Sequence, residues 1–170
     1  MLHRELGEDR RDRSATLLSA VKHAAARGLD PAKMAKDTFS MYERSTRNIR
    51  VAVRPAYLDD QSDPDDHRFM WSYTVTIENK GTETVQLLSR YWHITDGFGQ
   101  VKEVAGDGVV GAQPVIAPGQ KFEYTSGCPL STASGHMIGK YKMRSSTGEA
   151  FEAEIPAFLL ESPHEQRQIH

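Results

Sequence analysis

From residue 46 onward, apolar side chains recur at every second position. Phe69, Trp71, Tyr73, Val75 and Ile77 fall on one face of an extended segment, and Met70, Ser72, Thr74, Thr76 and Glu78 fall on the other. A repeat of two belongs to a β-strand with one buried face. Ile49, Val51 and Val53 alternate in the same way with Arg50, Ala52 and Arg54 until Pro55 interrupts. Asn79-Lys80-Gly81 predicts a turn, and a partner strand begins over 84–88 and continues over 90–95. Asp96-Gly97-Phe98-Gly99 predicts a hairpin turn, with residues 100–104 returning. After a turn at Pro118-Gly119, Phe122 and Tyr124 alternate on another strand, which Gly127-Cys128-Pro129 is expected to break. Residues 137–144 predict a further strand, with its turn at Thr147-Gly148. Phe151, Ala153 and Ile155 alternate on the last strand, expected to stop at Pro156, with 157–160 as a short apolar cap and 164–170 as a polar tail.

That makes about seven strands, with turn signals about every 8–12 residues and no helix between them. The expected fold is all-β, an antiparallel β-sandwich of immunoglobulin or fibronectin type III kind. A small barrel is the alternative.

The first 40 residues are patterned differently. Arg4, Arg10, Arg11 and Arg13 are interleaved with Glu5, Glu8, Asp9 and Asp12, a solvated composition that suits disorder. Ser14 is placed to cap a short helix ending at Gly28, with Leu17, Leu18, Val21 and Ala25 on one face. Asp30-Pro31 resembles a second helix start. Residues 1–40 are therefore expected to be an extension, partly helical or disordered, before a domain spanning 41–163. The abrupt change at Met41 also fits a start at that residue, with the preceding segment an upstream in-frame extension.

Composition narrows the function classes. A chain of 170 residues supports one domain with some length to spare. Its net charge of −2 carries no nucleic-acid footprint. No apolar run reaches the length that spans a bilayer, and the N-terminus has no apolar signal-peptide core. Cys128 is the only cysteine, so no intrachain disulfide forms, which fits a cytoplasmic setting.

Four groups of residues could carry chemistry. Gly106, Gly108 and Gly111 spell G-x-G-x-x-G, the spacing of dinucleotide-binding loops. Such loops need a helix N-terminus behind them, and here Pro114, Val115 and Ile116 followed by Pro118-Gly119 leave no room for a helix. The loop is expected to serve backbone geometry. The competing reading is an anion nest of backbone N–H groups, assisted by Lys102 and Lys121, that binds pyrophosphate or a dinucleotide polyphosphate. Asp59, Asp60, Asp63, Asp65, Asp66 and His67 lack the spacing of a calcium loop or a zinc set, so an exposed acidic loop is expected and no metal site. Cys128 could pair with His93 or His136 as a nucleophile, but no third orienting group is evident. Tyr91, Trp92 and Phe98 could anchor an interface, although neighbours in a strand point oppositely, so Tyr91 and Trp92 cannot share a face.

Three segments together resemble one known family. Residues 91–96 (YWHITD), 106–111 (GDGVVG) followed by Gln113-Pro114, and 124–130 (YTSGCPL) are similar to the ApaG family, and 154–158 (EIPAF) resembles its closing strand. The resemblance spans 41–163 and leaves the first 40 residues outside it. It implies a fibronectin type III-like sandwich and no catalytic residues. It links the bacterial members to cobalt resistance and magnesium efflux, and to genes that often sit beside a diadenosine tetraphosphatase gene. Related eukaryotic domains in F-box and polymerase-interacting proteins imply protein interaction. The expectation is thus a cytoplasmic, non-enzymatic binding module without a cofactor. Its partner would be another protein, with a homodimer as one form, and neither nucleic acid nor membrane insertion is expected.

Overall fold

The computed structural model describes residues 41–164. The expectations for residues 1–40, and for the tail beyond His164, lie outside the described residues. Among the described residues nine strands form: β1 (Tyr42–Thr46), β2 (Ile49–Tyr57), β3 (Phe69–Asn79), β4 (Val85–Asp96), β5 (Val101–Asp107), β6 (Val115–Ile116), β7 (Lys121–Leu130), β8 (Ser134–Ser145) and β9 (Ala150–Glu161). One sheet runs β1-β2-β3-β7, the other β5-β4-β8-β9 with β6 beside β4, and all pairings are antiparallel. The fold is the expected two-sheet sandwich. No helix among the described residues is long and apolar enough to cross a membrane.

The alternation of β3 decides which way its sheet faces. Phe69, Trp71, Tyr73, Val75 and Ile77 are buried and meet Leu87, Trp92, Met137, Tyr141, Ile155 and Phe158 of the other sheet in one core. Tyr73, Trp92 and Phe158 form a ring cluster with centroids 5.3–5.9 Å apart, the spacing at which edge-to-face contacts add to plain burial. On the outer face of β3, a Thr74–Thr125 hydroxyl pair at 2.9 Å and a Glu78–Lys121 ion pair at 3.3 Å tie β3 to β7.

Four local expectations are corrected. β1 is a strand that the alternation missed, because Glu43, Arg44 and Ser45 are exposed and show no apolar face. Gly127-Cys128-Pro129 does not break β7, since Met70, Trp71 and Ser72 of β3 stay in register with Pro129, Cys128 and Gly127. Proline is tolerated there because β7 is an edge strand. Pro156 does not end β9. It sits where the β8–β9 register slips between Met137 and Gly139, and such a bulge does not require its missing N–H. Residues 157–160 therefore continue the strand, with Phe158 and Leu160 in the core.

The two long seams of the sandwich close unequally. Along one, β1 and β2 pack against β9. There Arg44 pairs with Glu154, the Glu154 N–H donates to Thr46 Oγ1 at 3.2 Å, and Arg47 grips Glu149 through two bonds of 2.8 and 3.1 Å. Along the other, the outer edges of β5 and β7 stand on either side of a cleft.

Asn79 knots one end of the molecule. It is 1% exposed, its amide donates to the carbonyls of Glu83 (2.7 Å) and Ile116 (2.9 Å), and its Oδ1 accepts the Gly81 N–H (3.0 Å). Asn79→Ala removes three hydrogen bonds to backbone groups, the one to Ile116 buried, and should cost about 2–3 kcal/mol. Urea denaturation measures this as a lower midpoint at unchanged slope.

Candidate functional site

β4 organises the cleft. Its parity shifts at a bulge between Leu87 and Ser89, after which Arg90, Trp92, Ile94 and Asp96 share the inward face. Trp92 is 2% exposed and belongs to the core, so it leaves the expected interaction surface. Tyr91 points to the outer face, where its hydroxyl donates to Glu103 and the Lys140 ammonium lies 5.7 Å above its ring. Phe98 is 82% exposed at the tip of the β4–β5 hairpin. That tip is held firmly: Asp96 Oδ1 accepts the N–H groups of Phe98 (2.8 Å) and Gln100 (2.9 Å), and Thr132 Oγ1 accepts that of Gly97 (2.9 Å).

The three loop glycines have three different reasons. Gly106 lies within β5, directly opposite Arg90, and a Cβ there would stand 3.2 Å from the guanidinium. The Arg90 side chain crosses that gap, and its Nη1 donates to the carbonyls of Asp107 (3.0 Å) and Gly108 (2.9 Å). Gly108 has φ +62°, and a Cβ would fall 2.3 Å from the Ala112 carbonyl oxygen. Val110 (φ +43°) and Gly111 (φ +80°) are the two central residues of a tight turn closed by reciprocal Val109–Ala112 bonds of 2.8 and 2.9 Å. Two positive φ angles in succession define the type I′ turn.

The loop N–H groups are largely engaged. Gly108 donates to Leu88 (2.8 Å), Val109 to Ala112 and Ala112 to Val109. Three of the donors that an anion nest would use thus hold the loop to itself and to β4. Nor do the two lysines converge on the loop. Lys121 pairs with Glu78 on the other sheet, and Lys102 lies four residues from Gly106 along β5, about 13 Å away. The cation at the loop is Arg90, not one of the two lysines expected there. The signal was its position two residues before Trp92, on the same strand face.

The cleft has a volume of about 430 Å³. Arg90 and Lys102 reach it from β4 and β5, and Ser126, Cys128, Pro129 and Leu130 reach it from β7. Trp92, Ile94, Val104 and Met137 give it apolar walls. Beneath it, the Tyr124 and Tyr141 hydroxyls share a hydrogen bond in the core. Burial raises both phenols, and it pushes Tyr73 up to about 12 against the opposing pull of Ser126 and Arg90. Burial likewise pushes the Cys128 thiol up to about 12, with Lys102 pulling weakly the other way. A thiol so protonated is a poor nucleophile at neutral pH. His93 lies opposite Glu103 and Ile138, on the outer face with Tyr91. His136 is exposed on β8 opposite Leu159. Parity therefore separates His93 from the inward-facing Cys128. In the acidic loop, Asp63 and Asp66 each hold Arg68 at 3.3 Å, and no group of three or more His, Cys, Asp or Glu among the described residues is placed to hold a metal.

Comparison with known proteins agrees with this architecture. The family model described as the ApaG domain matches residues 59–145. Protein ApaG of Parvibaculum lavamentivorans is 58% identical over 130 residues, covering 76% of this chain and 100% of that protein. Protein ApaG of Rhodospirillum centenum is 60% identical over 124 residues, covering 73% and 95%. A crystal structure of a Bordetella pertussis protein named ApaA is 47% identical, with a TM-score of 0.66 and coverage of 73% of this chain and 98% of that one.

Two outcomes are expected. Gly108→Ala should destabilise by about 2 kcal/mol or more, and Gly111→Ala, which meets open space, by about 1 kcal/mol. Pyrophosphate should leave the melting temperature unchanged in both variants and in the parent. The second concerns pH. Tyr73 and Cys128 ionise later in the folded state than in the unfolded chain, so their contribution is complete below about pH 9 and is lost as pH rises toward about 12. Urea midpoints should fall across that window, with tyrosinate absorbance from the buried phenols rising together with unfolding.

Proposed function

The chain belongs to the ApaG family, and on that footing we propose that it is a cytoplasmic, non-enzymatic module that binds another protein at the open seam between β5 and β7. One observation carries the reading: two edge strands, unpaired on their outer sides among the described residues, face each other across a cleft, beside the exposed ring of Phe98. An edge strand presents backbone donors and acceptors to which an extended segment can add, while the pockets beside it select side chains. Phe98, on its braced turn, supplies an aromatic anchor that loses little conformational freedom on binding. In that role, the cobalt resistance and magnesium efflux implied by the resemblance act through the bound partner. A second copy of the chain is one partner that the same edge admits.

Ser131 is exposed at the cleft rim. With the full chain immobilised, Ser131→Trp should abolish recovery of a cross-linked partner, and Phe98→Asp should reduce it, with melting temperatures unchanged. Equal recovery by parent and both variants would move the binding surface elsewhere.

A further inference from the structure

The charge inside the cleft says more than its shape. Arg90 and Lys102 are on the inward face of the β4–β5 hairpin, since Arg90 pairs across with Gly106 and Lys102 with Ile94. Neither forms an ion pair with a carboxylate among the described residues. Asp96 is the one carboxylate in the lining, and its Oδ1 already accepts two backbone N–H groups. Arg90 Nη1 is occupied by two carbonyl oxygens, which orient the guanidinium without neutralising it. Two positive charges thus face an apolar-walled space bounded by a free strand edge.

We propose that this cleft receives an acidic, extended segment of a partner protein, its carboxylates seated at Arg90 and Lys102 and its apolar residues against Ile94, Val104 and Leu130. This rests on the binding-module reading above and specifies the chemistry of the bound segment. A small anion would satisfy the two cations but leave the apolar walls and the strand edge unused. A neutral apolar strand would use the walls and leave two cations to be desolvated without partners, which costs free energy. The spacing suits an extended chain, because Arg90 and Lys102 lie two same-face steps apart, about 13 Å along the strand.

The test uses the full chain and a fluorescent library of hexapeptides mixing valine, leucine and phenylalanine with glutamate. A matched library carries glutamine in place of glutamate. Glutamate peptides should bind saturably, more weakly as salt rises, while glutamine peptides should bind at least tenfold less tightly. Lys102 makes no contact that the fold requires, so Lys102→Gln should weaken binding about tenfold at unchanged melting temperature, and Lys102→Glu should remove it. Glutamine and glutamate peptides bound alike, and both excluded by Ser131→Trp, would overturn the acidic specificity and leave the module reading standing. Peptides indifferent to Ser131→Trp would remove the cleft from both. Absence of binding by any glutamate peptide, or saturable binding of pyrophosphate in its place, would overturn the inference.

Discussion

Every backbone amide along β4 must find a partner, and its two sides find them differently. On one side β8 accompanies it almost end to end. On the other, β6 covers Val85 and Gln86 and β5 covers Ser89 to Thr95. Between those two partners the chain has to leave the edge and return, and the glycine loop is that excursion. Its bonds show the purpose: the Gly108 N–H donates to the Leu88 carbonyl, the Leu87 N–H to the Pro114 carbonyl, and the Gln113 amide to the Leu88 carbonyl. The bulge at Leu87/Ser89 falls at the same place. It turns Arg90 inward, and Gly106 is the residue that leaves room for it. A spacing of glycines shared with dinucleotide-binding loops thus arises from hydrogen-bond accounting at the edge of a sheet.

Much of this was legible in the sequence wherever a strand runs undisturbed. The face of β3 could be read residue by residue, and the opposed orientations of Tyr91 and Trp92 followed from strand geometry alone. Parity fails at a bulge, because one extra residue exchanges the faces beyond it. This is why Arg90, seen from Val85 and Leu87, belongs to the outer face, yet seen from Trp92 belongs to the inner one. Prolines and glycines misled for a related reason: Pro129 on an edge and Pro156 in a bulge occupy places where a missing N–H costs little. Asn79 looked like a turn residue because its spacing to Gly81 is that of a turn, and its distant carbonyl partner at Ile116 could not be seen along the chain.

The cleft floor is built to stay uncharged and fixed. Three phenols and one thiol lie in or under it, and burial raises all four, so that at neutral pH they present hydroxyl and thiol hydrogens rather than anions. The Arg90 guanidinium is half-buried above them. A floor of neutral dipoles beneath a fixed cation creates a local preference for a negative group without supplying an activated nucleophile.

An edge strand of ten residues is also a hazard, since it offers the same unpaired groups to any passing strand. β7 carries two ordinary safeguards: Pro129 interrupts its row of donors, and Lys121 and Glu123 bring charge to its outer face. The third safeguard is the neighbouring hairpin, whose inward Lys102 and Arg90 impose desolvation on anything entering the cleft. A neutral, aggregation-prone strand meets two cations it cannot satisfy, whereas an acidic strand meets two partners. On the proposed reading, the feature that protects the edge from indiscriminate pairing is the one that confers selectivity on it. Arg44–Glu154 and Arg47–Glu149 bridge the β1–β9 seam, whereas among the described residues Arg90 and Lys102 pair with no carboxylate, which on the proposed reading leaves them to the acids of the partner.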